Sequence, residues 1–129
     1  MKKIILDTDF LVHCAQNKVD YSTELKRIAN FQFRLYIIDK TVEELNNIIE
    51  KKKGKIKSAA KLAMIILKKK QVLQIKTKMD KIVDKLILEN LTKNTLVATM
   101  DANLKKILKK KGIPLVIIRQ KKYLKIIQA

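Results

Sequence analysis

Glycine, proline, cysteine, histidine and acidic residues are all scarce in this 129-residue chain. The only glycines, Gly54 and Gly112, cannot build a Gly-rich loop after the first strand, so dinucleotide-binding and P-loop architectures are excluded. The single cysteine, Cys14, has no intramolecular disulfide partner, and no Cys/His spacing suits structural zinc. Cys14 is therefore read as a small buried apolar side chain. No apolar run approaches the ~18 residues of a membrane span. The longest, Leu-Ala-Met-Ile-Ile-Leu at 62–67, reads as part of a helix. Two lysines follow Met1 without an apolar h-region or cleavage site, so no secretory signal is read and a cytoplasmic protein is expected. A disordered tail is excluded as well, because 47% of the residues are hydrophobic. The length fits one domain over residues 1–129, large enough to bury a core.

Against 12 Asp and Glu stand 30 Lys and Arg, for a formal net charge of +18. Such a surface expects polyanions as partners, nucleic acid first and no membrane. Basic runs recur at 51–57, 68–70, 105–111 and 119–125. Lysines also simply solvate helix faces and reflect AT-rich coding, so charge alone assigns no activity.

Strand-like and helix-like segments alternate along the chain. Short apolar runs at 3–6, 34–38, 72–75, 95–98 and 115–118 read as strands. Met79, Ile82, Val83, Leu86 and Ile87 keep the spacing of an amphipathic helix, as do Leu104, Ile107 and Leu108 before Gly112. Val42, Leu45 and Ile49 mark a helix after the second strand. The stretch from Ser58 to Lys70 is apolar on most faces and is expected to be a largely buried helix. This alternation argues for an α/β fold with a parallel sheet covered on both faces. In open sheets of this kind the ligand site lies beyond the carboxyl ends of the strands.

Four of the few acids stand in suggestive places. Asp7 and Asp101 follow strand-like runs directly, although Asp101 in Ala-Thr-Met-Asp-Ala-Asn-Leu also stands where a helix cap is wanted. Glu44 adjoins Leu45 near a helix start, and Asp84 flanks an apolar stripe near Leu88 and Leu91. Gathering them is costly, since two carboxylates at 4 Å repel by roughly 4 kcal/mol at an effective dielectric of 20. A hard divalent ion with oxygen ligands would make such a cluster tolerable. An acidic site within a basic surface therefore points to metal-dependent nuclease chemistry.

The segments carrying these acids, ILDTDFL, TVEEL, VDKLIL and VATMDANL, together resemble the four motifs of the PIN domain, a family of small Mg²⁺- or Mn²⁺-dependent ribonucleases. DTDFLVHCAQNKVD and KGIPLVIIRQKKYL resemble most closely the archaeal relatives of the Fcf-type endonuclease that processes small-subunit rRNA precursor. The resemblance implies a three-layer α/β/α fold with a parallel sheet of about five strands in order 3-2-1-4-5, ending in a basic tail at about 119–129. It implies that Asp7, Glu44, Asp84 and Asp101 are catalytic and bind one or two Mg²⁺ or Mn²⁺ ions. Thr8 and Thr99 fall at hydroxyl positions flanking those acids. Asp9 replaces the family's usual Asn, and is read either as a further metal ligand or as an acceptor for a neighbouring loop. Lys85 follows Asp84 where the third motif often has a second acid.

Lys105, Lys106, Lys109, Arg119, Lys121, Lys122 and Tyr123 are the expected RNA contacts, with Tyr123 either stacking on a base or anchoring the tail to the sheet. His13 is set aside, because it is expected to point elsewhere and activated water needs no histidine base. Asp20, Glu24, Asp80 and Glu89 read as solvated helix acids.

The leading expectation is an endoribonuclease of rRNA precursor, with ribosome-assembly factors and a second copy of the chain as further candidate partners. The alternatives are a VapC-like toxin ribonuclease and a weakly active RNA-binding assembly factor. A haloacid-dehalogenase-type phosphatase is suggested by Asp7-Thr8-Asp9 alone. It is disfavoured because Leu11 stands where that family needs Thr or Val, and because so basic a chain suits no small phosphate ester.

Overall fold

A computed structural model describes every residue except Met79 and Ala129. In chain order the elements are β1 (Lys2–Leu6), α1 (Thr8–Gln16), α2 (Tyr21–Ile28), β2 (Phe33–Ile38), α3 (Lys40–Lys51) and α4 (Lys55–Lys69). They continue with β3 (Leu73–Ile75), α5 (Val83–Glu89), β4 (Thr95–Ala98), α6 (Ala102–Lys110), β5 (Leu115–Arg119) and β6 (Tyr123–Ile127). The six strands form one sheet in the order β3-β2-β1-β4-β5-β6. All neighbours are parallel except β5 and β6.

The central strands are apolar on both faces because helices cover both, and strand alternation divides their side chains between two cores. Ile4, Leu6, Leu96, Ala98, Val116 and Ile118 join one core under α1, α2, α3 and α4. Ile5, Val97 and Leu115 join the other, under α5 and α6. The expected three-layer α/β/α architecture is what these faces produce.

Three local expectations are corrected. The helix bearing Asp84 begins only at Val83, with Ile82 exposed as its cap position; Met79 lies outside the described residues. On α4, only the Ala59, Ala60, Ala63 and Leu67 side is buried, while Leu62 and Ile65 remain 40% and 54% exposed. Those small residues seat α4 against α1 and α3, so one stripe suffices for burial. The stretch read as a basic tail contains a sixth strand, paired antiparallel with β5 and tied to α2 by Glu24, whose Oε1 accepts from the Leu124 amide at 3.1 Å. Glu24, read as a solvated acid, is in fact the strut between α2 and β6, and it pairs with Arg27 as well. Among the described residues no helix is long and apolar enough to cross a membrane.

The β5–β6 turn closes through the Lys122 amide donating to the Arg119 carbonyl at 3.0 Å. Its two central residues, Gln120 and Lys121, both have positive φ, 53° and 57°. That is the backbone of a type I′ hairpin, which favours Asn-Gly and which Gln-Lys enters at a steric cost. Replacing Gln120→Asn together with Lys121→Gly is expected to stabilise the protein by about 1 kcal/mol, raising Tm by roughly 3–5 °C. A thermal melt of the double variant measures it, and a lowered Tm would contradict the strained-turn account.

Candidate active site

The strand order turns around β1: the chain leaves it toward β2 and β3 on one side and returns to β4 and β5 on the other. Crossovers departing in opposite directions open a crevice at the carboxyl edge of β1 and β4. Asp7 is the first residue past β1, and its amide still donates to the Ala98 carbonyl at 2.9 Å. Its side chain, 4% exposed, caps α1 by accepting from the Thr8 amide at 2.9 Å through Oδ1. Oδ2 accepts from the buried Thr99 hydroxyl at 2.8 Å.

Thr99 also accepts from the Asp101 amide at 3.1 Å, so one hydroxyl ties together the backbone of Asp101 and the carboxylate of Asp7. Asp101 caps α6, accepting from the Leu104 amide at 2.8 Å through Oδ1. The cap expected as an alternative role is therefore real, and it leaves the residue facing the crevice. Glu44 arrives from α3, where the Thr8 hydroxyl donates to its Oε1 at 2.6 Å. The hydroxyls of Thr8 and Thr41 are hydrogen-bonded at 3.2 Å. Asp84 comes from the opposite helical layer, in the first turn of α5, where helix amides favour a carboxylate.

A cleft of about 420 Å³ lies between them, lined by Asp7, Asp9, Glu44, Asp84 and Asp101. No lysine or arginine is among the lining residues. Burial, the charge of Asp9 and then that of Asp84 push the Asp7 carboxyl up to about 8, although its bond from Thr99 works the other way. Burial also raises Asp84, followed by the charges of Asp101, Asp9 and Glu44. Asp7 and Asp84 thus feel their neighbours as uncompensated negative charge.

Five carboxylates with surplus negative charge fit a hard divalent cation such as Mg²⁺ or Mn²⁺. Among the described residues no three acidic, histidine or cysteine side chains close around a common point. The acids stand spread around the cleft, as like charges do. That spread suits an ion that keeps several waters and takes only one or two carboxylates, in the manner of Mg²⁺.

The structure brings Asp7, Asp9, Glu44, Asp84 and Asp101 to one cleft together with Thr8, and places Thr99 directly behind Asp7. Of the two roles considered for Asp9, the structure shows the acceptor: its Oδ1 accepts from the Met100 amide at 3.4 Å, and the residue also lines the cleft. His13, expected to point elsewhere, lines the cleft as well. One turn of α1 carries it there from Asp9, and its Nδ1 donates to the Asp9 carbonyl at 2.8 Å, which leaves Nε2 as the unprotonated nitrogen of the neutral ring.

The expected RNA contacts lie farther out, and none lines the cleft. Lys105, Lys106 and Lys109 follow α6 away from Asp101, while Arg119, Lys121, Lys122 and Tyr123 occupy the hairpin beyond β5. Sequence reasoning missed Thr41, Gln16, Ile48 and Ile56. Thr41 could have been found, since it precedes Glu44 by one helical turn on the same face. Ile48 could have been found likewise, one turn after Glu44, whereas Gln16 and Ile56 reach the cleft through tertiary packing alone.

A family model described as a PIN-like domain matches residues 4–121. Ribonuclease VapC4 of Methanocaldococcus jannaschii is 33% identical over 129 residues, covering 98% of this chain and 97% of that protein. Among solved structures, the PIN domain endonuclease Utp24 superposes with a TM-score of 0.81 at 24% identity, covering 98% of this chain and 92% of that one, a likeness of fold.

The raised Asp7 has a consequence for stability. Between its ordinary value of 3.8 and about 8, the folded chain holds a proton that the unfolded chain has lost. The Asp7 contribution is therefore fully present at low pH and declines as pH rises through about 8. Asp7→Asn should remove that slope: in chelator, the variant gains stability over the parent as pH rises from about 5 to about 8. Denaturant melts across this range measure the difference, and a difference independent of pH would show that Asp7 is not held protonated.

Proposed function

The chain belongs to the PIN-like domain family, and on that premise we propose that it is a divalent-cation-dependent endoribonuclease hydrolysing internal RNA phosphodiester bonds. The observation that carries this reading is the cleft itself: five acids and no lysine or arginine, in a protein of net charge +18. A basic protein that segregates its acids in this way is arranged to hold cations inside and polyanions outside.

In this reading Asp7, Glu44, Asp84 and Asp101 hold one or two Mg²⁺ or Mn²⁺ ions, with Asp9 as an added carboxylate at the cleft wall. The chemistry such ions supply is the activation of water and the neutralisation of charge on the phosphodiester during in-line displacement. The chain's own residues do the positioning. Thr99 fixes the rotamer of Asp7 and the backbone of Asp101, and Thr8, bonded to Thr41, fixes Glu44. Asp7, held protonated below about 8, would have to give up that proton to hold a cation, so affinity for the ion would rise with pH up to about 8. Exposed lysines around the rim bind the RNA backbone.

Two substrate readings divide the finer function. Identity to Ribonuclease VapC4 across nearly the whole of both chains favours a VapC-like ribonuclease. The Fcf-type resemblance of the first motif and the C-terminal segment supports cleavage of rRNA precursor during small-subunit assembly, with assembly factors as partners. We place the VapC-like reading first, because it rests on the full length rather than on two segments. Retention of every cleft acid weighs against an inactive RNA-binding factor. Either reading suits the cytoplasm, and either allows a second copy of the chain as partner.

The decisive variant is Asp101→Asn, since asparagine caps a helix about as well as aspartate and the fold should survive. Cleavage of single-stranded RNA in Mn²⁺ should fall more than about 100-fold, beyond the 10–100-fold typical of losing an outer supporting residue. Thr99→Val should fall within that smaller range. Cleavage that persists in chelator, or an Asp101→Asn protein of undiminished activity, would overturn the proposal. Sequencing RNA crosslinked to the protein in cells then separates the substrates: ribosomal precursor favours the Fcf-type reading, and other RNA favours the VapC-like one.

A further inference from the structure

Of the four basic runs in the sequence, one reaches the acid cleft. Ile56, in the first turn of α4, is itself a lining residue there, 36% exposed. Beside it lies a second cavity of about 740 Å³, lined by Gln16, Asn17, Gly54, Lys55, Ser58 and their neighbours. Gln16, at the end of α1, lines both spaces, so the two adjoin there along a line, here called the trough, that leads from the acids to Gly54 and Lys55.

The loop is built for an anionic partner. Lys51, Lys52, Lys53 and Lys55 are exposed, and among the described residues none of them enters an ion pair. Glu50 is the one acid adjoining them in sequence, and no other Asp or Glu occurs before Asp80, so the segment keeps a surplus of positive charge. Gly54 stands at φ +71°, with nothing within 4 Å of the position a Cβ would take, so the trough passes an open stretch of main chain at this point. The trough is thus strongly negative at one end and strongly positive at the other, with the apolar Ile56 between them.

Resting on the ribonuclease reading above, we propose that the RNA strand is held along this trough. The phosphate to be cut lies at the acids, and phosphates on one side of it are gripped by Lys53 and Lys55. The polarity dictates the register. An RNA backbone is repelled by a bare acid cleft and attracted by the loop, so binding energy at the loop positions the strand while the acids stay free for cations. Phosphate contacts of this type fix position and carry no sequence information. The loop is therefore a sequence-independent grip, distinct from the α6 and hairpin lysines first expected to hold RNA.

The test is Lys53→Glu with Lys55→Glu, set against Lys68→Glu with Lys69→Glu at the far end of α4, about 20 Å along the same helix. All four side chains are exposed, so circular dichroism and melting should match the parent in both variants. Binding of a short fluorescein-labelled, unstructured RNA is followed by anisotropy in chelator, where no cleavage occurs. The loop variant should bind about 10-fold or more weakly, and its slope of log K against log salt should shrink by about 1.4, the value for two single-strand phosphate contacts. In Mn²⁺ its cleavage should show a raised KM with kcat retained. The far-end variant should change much less in each measurement.

Equal losses in both variants, or none in the loop variant, would overturn the trough while leaving the ribonuclease reading intact. Loop-dependent binding by a parent protein that never cleaves RNA would support the trough and sink the ribonuclease reading. A parent that binds no RNA would sink both.

Discussion

Mutual repulsion among five carboxylates in one cleft is the constraint on which the rest of this structure depends. No lysine or arginine lines the cleft to relieve it, and burial raises the cost. The fold answers with neutral donors. Asp7 receives the Thr8 amide and the Thr99 hydroxyl, Asp101 receives the Leu104 amide, and Glu44 receives the Thr8 hydroxyl. Such donors hold an oxygen in place without supplying the positive charge that would fill the site. A lysine among them would have stabilised the folded chain and removed its capacity for a cation. The residual repulsion appears as the upward displacement of Asp7 and Asp84.

The parallel sheet supplies those donors through its topology. Every β-to-α connection at the carboxyl edge delivers a helix N-terminus, with its unpaired amides, to the end of a strand. Asp7 and Asp101 each serve as strand exit and helix cap at once, on the two strands flanking the switch in direction. Glu44 and Asp84 come from helices in opposite layers, α3 and α5, so the cleft can form only when both layers dock on the sheet. Losing either layer would scatter the acids. The two cores therefore support the site directly, and their packing is part of its geometry.

What could be read from the sequence follows from which signals are local. The strands announced themselves because their apolar runs are continuous, and Asp7 and Asp101 because they end such runs. The parallel order came from alternation of elements. The sixth strand escaped because Gln120-Lys121 is an unusual occupant of a type I′ turn, and without Asn-Gly a hairpin gives no warning. The exposed side of α4 escaped because apolar residues all round a helix do not reveal which stripe is buried; three alanines decided it by allowing close approach to α1 and α3. The helix of Asp84 was drawn too long because its periodicity continues upstream of its actual start. Gln16 and Ile56 carry no local signal, since only the packing of α1 against the α3–α4 pair brings them to the cleft.

The same packing bears on where the proposed RNA strand would lie, which charge alone does not decide. Lysines occur in four runs, and counting them ranks the α6 and C-terminal runs as highly as the α3–α4 loop. Screening in solution reduces a surface charge to local influence, within about 8–10 Å at physiological ionic strength. What matters is therefore which run shares a trough with the acids. The α6 lysines follow a helix that starts at Asp101 and leads away from it, whereas the α3–α4 loop folds back over the end of α1. A strand of RNA held at the loop brings its own phosphates toward the acids, and their charge adds to the repulsion already there. Cation and substrate should therefore favour each other's binding, because each supplies the charge that the other needs. The scarcity of acids elsewhere in the chain keeps that exchange confined to one place.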